Sequence, residues 1–177
     1  MPGLWFFQMR IKMKRLLIIT GNGKGKTTAS IGIIIRSLGY KKKIGLFKFF
    51  KSQLSGEDKI LKRLGIKIYQ FKIAQFFNPK KIPKKLIEET KNLWQKIEEL
   101  ESQFDLLVLD EINLALKAHI IKKETFIGFA KKTKVNLICT GRSASSWLKN
   151  LADTVSEIKD IKHTFVSGTK AQKGIEY

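Results

Sequence analysis

The chain has 177 residues, 43% of them hydrophobic, so its length fits one domain with ample core material and excludes a disordered polypeptide. Its 35 Lys and Arg against 15 Asp and Glu give a formal net charge of +20, which makes polyanions candidate partners. Lysine supplies nearly all of this charge, and codon bias also produces an excess of Lys, Ile and Phe, so charge alone selects no partner. The single cysteine, Cys139, excludes an internal disulfide framework and favours a reducing cytoplasm.

Residues 1–14 precede the first predicted strand as an amino-terminal arm. Their apolar run, residues 4–7, is too short for the core of a signal peptide or for a membrane span. We therefore expect no membrane association and predict that residues 15–177 form a single domain.

The first predicted elements surround a glycine-rich loop. An apolar run at residues 15–20 ends in three glycines spaced by two, and residues 27–38 then show helical spacing. This order predicts a strand, a phosphate-binding loop and a helix. The general pattern G-x-x-x-x-G-K-[ST] asks for glycine where this chain has Thr20. A simple strand-to-helix turn with a solvated lysine is the alternative, and the flanking strand and Lys-Thr-Thr favour nucleoside triphosphate binding.

The chemistry of this loop follows from its residue types. Glycines allow successive backbone N–H groups to turn inward around phosphate oxygens, and the following helix aims the positive end of its dipole at the same anion. Lys26 adds a point charge, and Thr27 is placed to offer its hydroxyl to Mg²⁺. The predicted ATP-binding residues are Gly21, Asn22, Gly23, Lys24, Gly25, Lys26, Thr27 and Thr28.

The pattern of strand and helix continues along the chain. Gly39 is expected to cap the first helix, residues 44–50 and 66–71 are predicted strands, and residues 55–64 are a predicted short helix. Residues 72–85 form a loop with apolar side chains that either folds onto the core, which the sequence slightly favours, or faces a ligand. Residues 84–103 have helical spacing.

The second half of the chain repeats this alternation. The predicted strands are residues 104–111 and 135–140, the predicted helices are residues 120–132 and 145–151, and residues 153–158 and 161–165 are extended. Continuous apolar runs indicate parallel strands covered on both faces. The fold class is therefore α/β, with a doubly wound, mostly parallel sheet and helices on both faces.

Polar residues follow the predicted strands at the edge where ligands bind in such sheets. Asp110 and Glu111 end one strand, and Arg142 follows another. The two carboxylates either cap the next helix or bind Mg²⁺, and their position beside a phosphate loop favours a metal site made with Thr27. For Arg142 we favour a triphosphate contact over a solvated side chain.

These residues resemble one family, the P-loop type corrinoid adenosyltransferases, over residues 15–177. The match includes residues 20–28, four residues after the second strand (Phe50, Lys51, Gly56 and Glu57), residues 109–113 and 115–117, and Thr-Gly-Arg at 140–142. Its most specific part is the tail, at residues 155–158, 162–163 and 169–177. The resemblance implies a three-layer, P-loop NTPase-like (RecA-like) fold.

The resemblance also implies a reaction in cobalamin biosynthesis or salvage. In the family, Co(I) of a reduced corrinoid attacks the ribose 5′-carbon of ATP, and inorganic triphosphate leaves. The triphosphate lies reversed in the loop relative to most P-loop proteins, and no protein base is needed. Catalytic roles then fall to Lys26 and Arg142, which neutralise the leaving group beside Mg²⁺. The resemblance further implies a flavoprotein reductant and a homodimer.

The corrinoid side is where the sequence departs from the family. A Gly-Phe-Thr-Trp-Asn segment is usual after the third strand, whereas this chain has Ala-Gln-Phe-Phe-Asn at residues 74–78. The resemblance carries the corrin-proximal aromatic roles to Phe76 and Phe77. His119 and His163 are interpreted as structural residues rather than cobalt ligands.

Two other functions stay open at this level. A P-loop ATPase stimulated by nucleic acid would use the positive charge to follow a phosphate backbone. The absence of a recognisable nucleic-acid module or an arginine cluster, together with the tail, argues against it, so we expect no specific nucleic-acid partner. A corrinoid or nucleotide carrier without turnover is the third hypothesis.

Overall fold

The computed structural model describes residues 14–72, 82–162 and 172–175. Within them the apolar runs of the sequence form six strands, all shorter than the runs themselves. They are Leu16–Thr20 (β1), Ile44–Lys48 (β2), Lys67–Gln70 (β3), Leu106–Asp110 (β4), Asn136–Thr140 (β5) and Thr154–Glu157 (β6). The strands pair in parallel in one sheet, in the order β3-β2-β4-β5-β1-β6.

Six α-helices connect the strands within the same residues. They are Lys26–Gly39 (α1), Gly56–Arg63 (α2), Lys84–Leu100 (α3), Ile112–Lys117 (α4), Lys123–Lys132 (α5) and Ser146–Leu151 (α6). A single 3₁₀ turn, Glu101–Gln103, extends α3 toward β4. No helix in these parts of the chain combines the length and apolarity needed to cross a membrane.

Alternate residues of each central strand face opposite layers, so the core lies in two parts. Leu107 and Leu109 of β4 pack in a cluster that includes Trp94 of α3 and Phe126 of α5. Leu106 and Val108 pack in a second cluster, with Ile34 of α1 and Leu61 of α2. Every residue of β2 and β4 is buried, because helices cover both faces of the sheet. The predicted doubly wound, three-layer architecture is confirmed.

Two local predictions were wrong. The helix predicted at residues 120–132 begins three residues late, at Lys123, and the sequence did not predict the separate helix α4 that precedes it. The chain turns between them at His119, which has a φ of 55° that an uninterrupted helix does not permit. Gly39 does not cap α1 but is its last residue, and the left-handed position after the helix falls on Lys41, with φ 55°.

The sequence placed the remaining elements correctly, with ends that differ by a few residues. Residues 153–158 were predicted to be extended, and β6 lies within them at the edge of the sheet beside β1. Most of the extended segment predicted at residues 161–165 lies outside the described residues, as does His163.

Candidate nucleotide-binding site

The glycine-rich loop between β1 and α1 is held by the chain that follows β6. The N–H of Gly23 donates to the carbonyl of Ile158 at 2.9 Å, and the N–H of Ile158 donates to the carbonyl of Thr20 at 2.8 Å. A Cβ at Gly21 would lie 2.2 Å from the Ile158 carbonyl oxygen, so only glycine permits this approach. The loop shape therefore depends on β6 as well as on its own sequence.

The last glycine of the loop starts the helix. Gly25 has a φ of 101°, and a Cβ added to it would meet no atom within 4 Å, so the need for glycine here lies in the backbone conformation. No side chain caps α1. The N–H groups of its first turn are therefore left for an anion, which is the arrangement that binds phosphate.

Lys26 is folded onto this loop. Its side chain is 7% exposed, and its Nζ donates to the carbonyl of Gly23 at 2.6 Å. Burial lowers the pKa of Lys26, and the positive charges of Arg142 and Lys51 lower it further, against the opposing effect of Glu111 and Asp110. Five charged side chains from four separate loops thus act on one another here.

Asp110, at the carboxyl end of β4, is fully buried and accepts three hydrogen bonds. Its Oδ1 accepts from the hydroxyl of Thr27 at 2.9 Å and from that of Thr140 at 2.6 Å, and its Oδ2 accepts from Lys51 Nζ at 2.7 Å. This carboxylate therefore connects the start of α1, the end of β5 and the segment after β2. The structure thus brings together polar residues that the sequence places at one edge of the sheet.

Lys51 is the residue of this group that the sequence did not assign to the site. Besides its bond to Asp110, its Nζ lies 3.3 Å from the hydroxyl oxygen of Thr27. Burial works to lower the pKa of Lys51, but Asp110, aided by Glu111 and Glu57, outweighs it and the pKa is raised. The available signal was its position just beyond a predicted strand, beside Phe50, in a segment that fits the family pattern.

Glu111 leaves the strand in an unusual conformation. Its φ is 62°, in the left-handed region that a non-glycine residue seldom adopts, and its N–H donates to the hydroxyl of Thr140 at 3.1 Å. Its Oε2 is buried without a hydrogen-bond partner. Burial and the neighbouring Asp110 raise its pKa, although Lys51, Lys26 and Arg142 oppose this. Such strain and such an unsatisfied oxygen are features of functional sites.

The loop after β5 is hydrogen-bonded to the start of α4 at the edge of the site. The side-chain amide of Asn113 donates to the carbonyl of Gly141 at 2.9 Å, which joins the start of α4 to this loop. Arg142, the next residue, is exposed, as are Asn22, Lys24 and Thr28. The predicted site residues thus divide into a buried polar centre and an exposed cationic and polar rim. Phe76 and Phe77 lie outside the described residues.

The oxygen ligands of the polar centre suit Mg²⁺. Within the described residues no three His, Cys, Asp or Glu side chains gather as a metal cage. Mg²⁺ typically takes one or two carboxylates and completes its shell with water and phosphate oxygens. The Thr27 hydroxyl, Asp110 and the unpartnered Oε2 of Glu111 meet that requirement, so these residues fit the ion.

The fold and the loop together define a P-loop nucleotide-binding protein of the α/β class. A sequence model described as ATP:corrinoid adenosyltransferase BtuR/CobO/CobP matches residues 12–177. The chain belongs to that family, and its enzyme class is ATP:corrinoid adenosyltransferase.

Individual relatives agree with this assignment. The chain is 32% identical to a corrinoid adenosyltransferase of Pseudomonas aeruginosa over 176 residues, which cover 96% of this chain and 87% of that protein. It is also 32% identical to a corrinoid adenosyltransferase of Escherichia coli K12 over 167 residues, 92% of this chain and 85% of the relative. These matches extend over nearly the whole sequence.

A solved structure resembles the fold at much lower identity. The flagellar accessory protein FlaH from Methanocaldococcus jannaschii superposes with a TM-score of 0.54 and 16% identity, over 81% of this chain and 70% of that one. This likeness concerns the fold alone and agrees with the P-loop NTPase-like architecture.

Proposed function

We propose that this protein transfers the 5′-deoxyadenosyl group of ATP to the Co(I) of a reduced corrinoid and releases inorganic triphosphate. The observation that carries the proposal is the hydrogen-bonded group centred on Asp110, which lies beside the phosphate loop in a chain of the corrinoid adenosyltransferase family. Family membership supports adenosylation of a corrinoid, and the site suggests how the phosphates are held.

The bond changes require positive charge beside the leaving group and do not require a general base. The electron pair of Co(I) forms the bond to the ribose 5′-carbon, the bond from that carbon to the triphosphate oxygen breaks, and triphosphate leaves with its electrons. No proton has to be removed from carbon or cobalt. The protein lowers the barrier by stabilising the charge of the leaving group and by holding the carbon in line with the metal.

The residues for leaving-group stabilisation are those of the loop and rim. The loop amides and the N-terminus of α1 offer hydrogen bonds, while Lys26 and Arg142 offer positive charge. Lys26 exchanges its bond to the Gly23 carbonyl for phosphate oxygens when nucleotide binds. We assign ATP binding to residues 21–28 and Arg142, and catalytic roles to Lys26 and Arg142.

We further propose that Thr27, Asp110 and Glu111 hold a Mg²⁺ ion together with phosphate oxygens and water. The ion supplies additional positive charge against the triphosphate. The unpartnered Oε2 of Glu111 supports this assignment, because a buried carboxylate oxygen without a donor is available to bind a cation.

The remaining assignments extend the family resemblance. We propose residues 15–177 as a single domain, Phe76 and Phe77 as contacts to the corrin, a flavoprotein as the source of Co(I), and a homodimer in the cytoplasm. Light scattering on the purified protein tests the dimer. Phe77→Ala tests the corrinoid contact, because it should impair corrinoid adenosylation while ATP affinity is kept.

The central experiment mixes the protein with ATP, Mg²⁺ and chemically reduced cob(I)alamin under anaerobic conditions. We expect a light-sensitive adenosylated corrinoid and inorganic triphosphate in equal amounts. If neither product forms, the proposed function is contradicted. ADP and orthophosphate, released faster when single-stranded RNA or DNA is added, would instead support a nucleic-acid-stimulated ATPase. Binding of ATP and corrinoid without turnover would support a carrier.

A further inference from the structure

In the polar centre of the site, the Lys51 ammonium lies where the proposed metal ion would bind. It lies 2.7 Å from Asp110 Oδ2 and 3.3 Å from Thr27 Oγ1. The hydroxyl of Thr27 meanwhile donates its proton to Asp110 Oδ1 at 2.9 Å. The Thr27 hydroxyl therefore accepts from Lys51 and donates to Asp110, so the three side chains form one hydrogen-bonded group.

The backbone holds Lys51 at this point from both sides. The N–H of Phe49 donates to the carbonyl of Asp110 at 2.9 Å, which continues the pairing of β2 with β4 past the end of the strand. Phe50 then takes a φ of 57°, and the carbonyl of Lys51 accepts from the N–H of Phe71 at 3.0 Å. A left-handed backbone conformation at a phenylalanine is energetically unfavourable, and here it is held between two residues whose backbones are hydrogen-bonded. It bends the chain just before Lys51, whose side chain contacts Asp110.

The same two oxygens belong to the proposed metal site. A divalent ion bound by Thr27 and by Asp110 Oδ2 would contact the same two oxygens that Lys51 contacts, and it would have to share them with an ammonium. An ammonium and a divalent cation that contact the same oxygens also repel each other. Lys51 and free metal therefore compete for one position.

We propose that Lys51 is an internal counter-cation that keeps free divalent metal out of the site until a nucleotide triphosphate brings the metal with it. In the protein without nucleotide, Lys51 neutralises the buried charge of Asp110. When the metal binds together with the triphosphate, the Lys51 ammonium leaves Asp110 and pairs with the negatively charged phosphate instead. This inference rests on the metal and nucleotide assignments of the proposed function.

The experiment measures Mn²⁺ binding to the nucleotide-free protein by electron paramagnetic resonance of the free hydrated ion. Wild-type protein is expected to bind Mn²⁺ weakly, and Lys51→Met to bind one equivalent at least tenfold more tightly. Lys51→Arg, which keeps the positive charge, should bind as weakly as wild type. The double variant Lys51→Met with Asp110→Asn should lose the tight binding, which locates the ion.

One variant controls for the loss of positive charge, and another replaces Lys51→Met if that protein does not fold. Lys59→Met removes an exposed positive charge on the neighbouring helix and should leave Mn²⁺ affinity unchanged. Lys51→Gln serves in place of Lys51→Met if circular dichroism shows that the latter does not fold. Mn²⁺ affinity unchanged in the neutral variants overturns the inference. Production of adenosylated corrinoid by the wild-type protein is measured in a separate assay. Unchanged Mn²⁺ affinity in the Lys51 variants therefore contradicts only this inference, and absence of product from the wild-type protein contradicts only the proposed function.

Discussion

The hydroxyl of Thr140 joins Asp110, the last residue of one strand, to the end of the next strand along the sheet. It donates to Asp110 Oδ1 at 2.6 Å and accepts from the N–H of Glu111 at 3.1 Å. One side chain thus satisfies both the buried carboxylate and the backbone at the point where Glu111 turns out of the sheet. The positions of both proposed metal-binding carboxylates therefore depend on Thr140.

Replacing Thr140 with valine should destabilise the protein by about 1–3 kcal/mol, because the Glu111 N–H loses its partner and Asp110 loses a donor. Urea unfolding followed by circular dichroism gives the free energy of unfolding. Thr140→Ser keeps the hydroxyl and should lose only about 1 kcal/mol through the missing methyl group. Equal losses in the two variants would show that the hydroxyl does not hold this corner.

A buried ion pair fixes α2 to the end of β2. Lys48 and Asp58 are 1% and 0% exposed and are in direct contact, and Asp58 Oδ2 also accepts from the N–H of Ser55 at 2.8 Å and its hydroxyl at 2.7 Å. Lys48→Met leaves the carboxylate buried without its cation and should cost about 3–5 kcal/mol of unfolding free energy at neutral pH. Lys59→Met, an exposed change on the same helix, should stay within about 0.5 kcal/mol of wild type.

The same pair predicts a pH dependence of stability. Burial acts to raise the pKa of Asp58, but the hydrogen bonds from Lys48 and Ser55 outweigh it and the pKa is lowered. Its contribution to stability is therefore complete above the unfolded-state pKa of about 3.9 and is lost as pH falls through the lower folded-state value. The stability difference between wild type and Lys48→Met should shrink as pH falls, first as the unpaired Asp58 of the variant takes up a proton and then, below about pH 4, as the wild-type carboxylate does. A difference that stays constant down to pH 2 would contradict this account.

The sequence predicted the architecture because that architecture depends on periodicity. Continuous apolar runs at β2 and β4 indicated strands buried on both faces, and the glycine loop with Lys26 and Thr27 indicated a phosphate site. Lys51 could not be assigned in this way, since its place depends on the φ of Phe50 and on pairing with Asp110, 59 residues away along the chain. Phe50 and Lys51 fit the family pattern, but the tertiary contact with Asp110 that places Lys51 in the site leaves no periodicity in the sequence.

The late start of the helix predicted at residues 120–132 has a similar cause. Ile121 has the apolar character and spacing of a core helix residue and is indeed buried. Its N–H, however, pairs with the carbonyl of Ala115 across the turn that contains His119, rather than within a helix. Burial of the side chain was therefore predictable, whereas the backbone conformation that achieves it was not.

Cys139 should be unreactive in the folded protein. Its side chain is fully buried in β5, and burial raises the pKa of the thiol far above its ordinary value, so almost no thiolate forms at neutral pH. We expect an aromatic disulfide reagent at pH 8 to release no more than a trace of its thiolate from the native protein, and one equivalent after denaturation in guanidinium. Rapid native labelling would mean that β5 opens readily beside the nucleotide site.

Lys26→Ala should separate phosphate binding from folding. The lysine makes its one described hydrogen bond to the Gly23 carbonyl within its own loop, so its removal leaves the sheet contacts in place. A charge-assisted bond to phosphate is worth about 1.5–3 kcal/mol, so ATP affinity measured by calorimetry should fall roughly tenfold to hundredfold. Turnover should fall by about 100-fold or more, because the lost charge faces the departing triphosphate. Lys59→Ala is the matched control, and unchanged ATP affinity in Lys26→Ala would remove the phosphate loop from the proposed site.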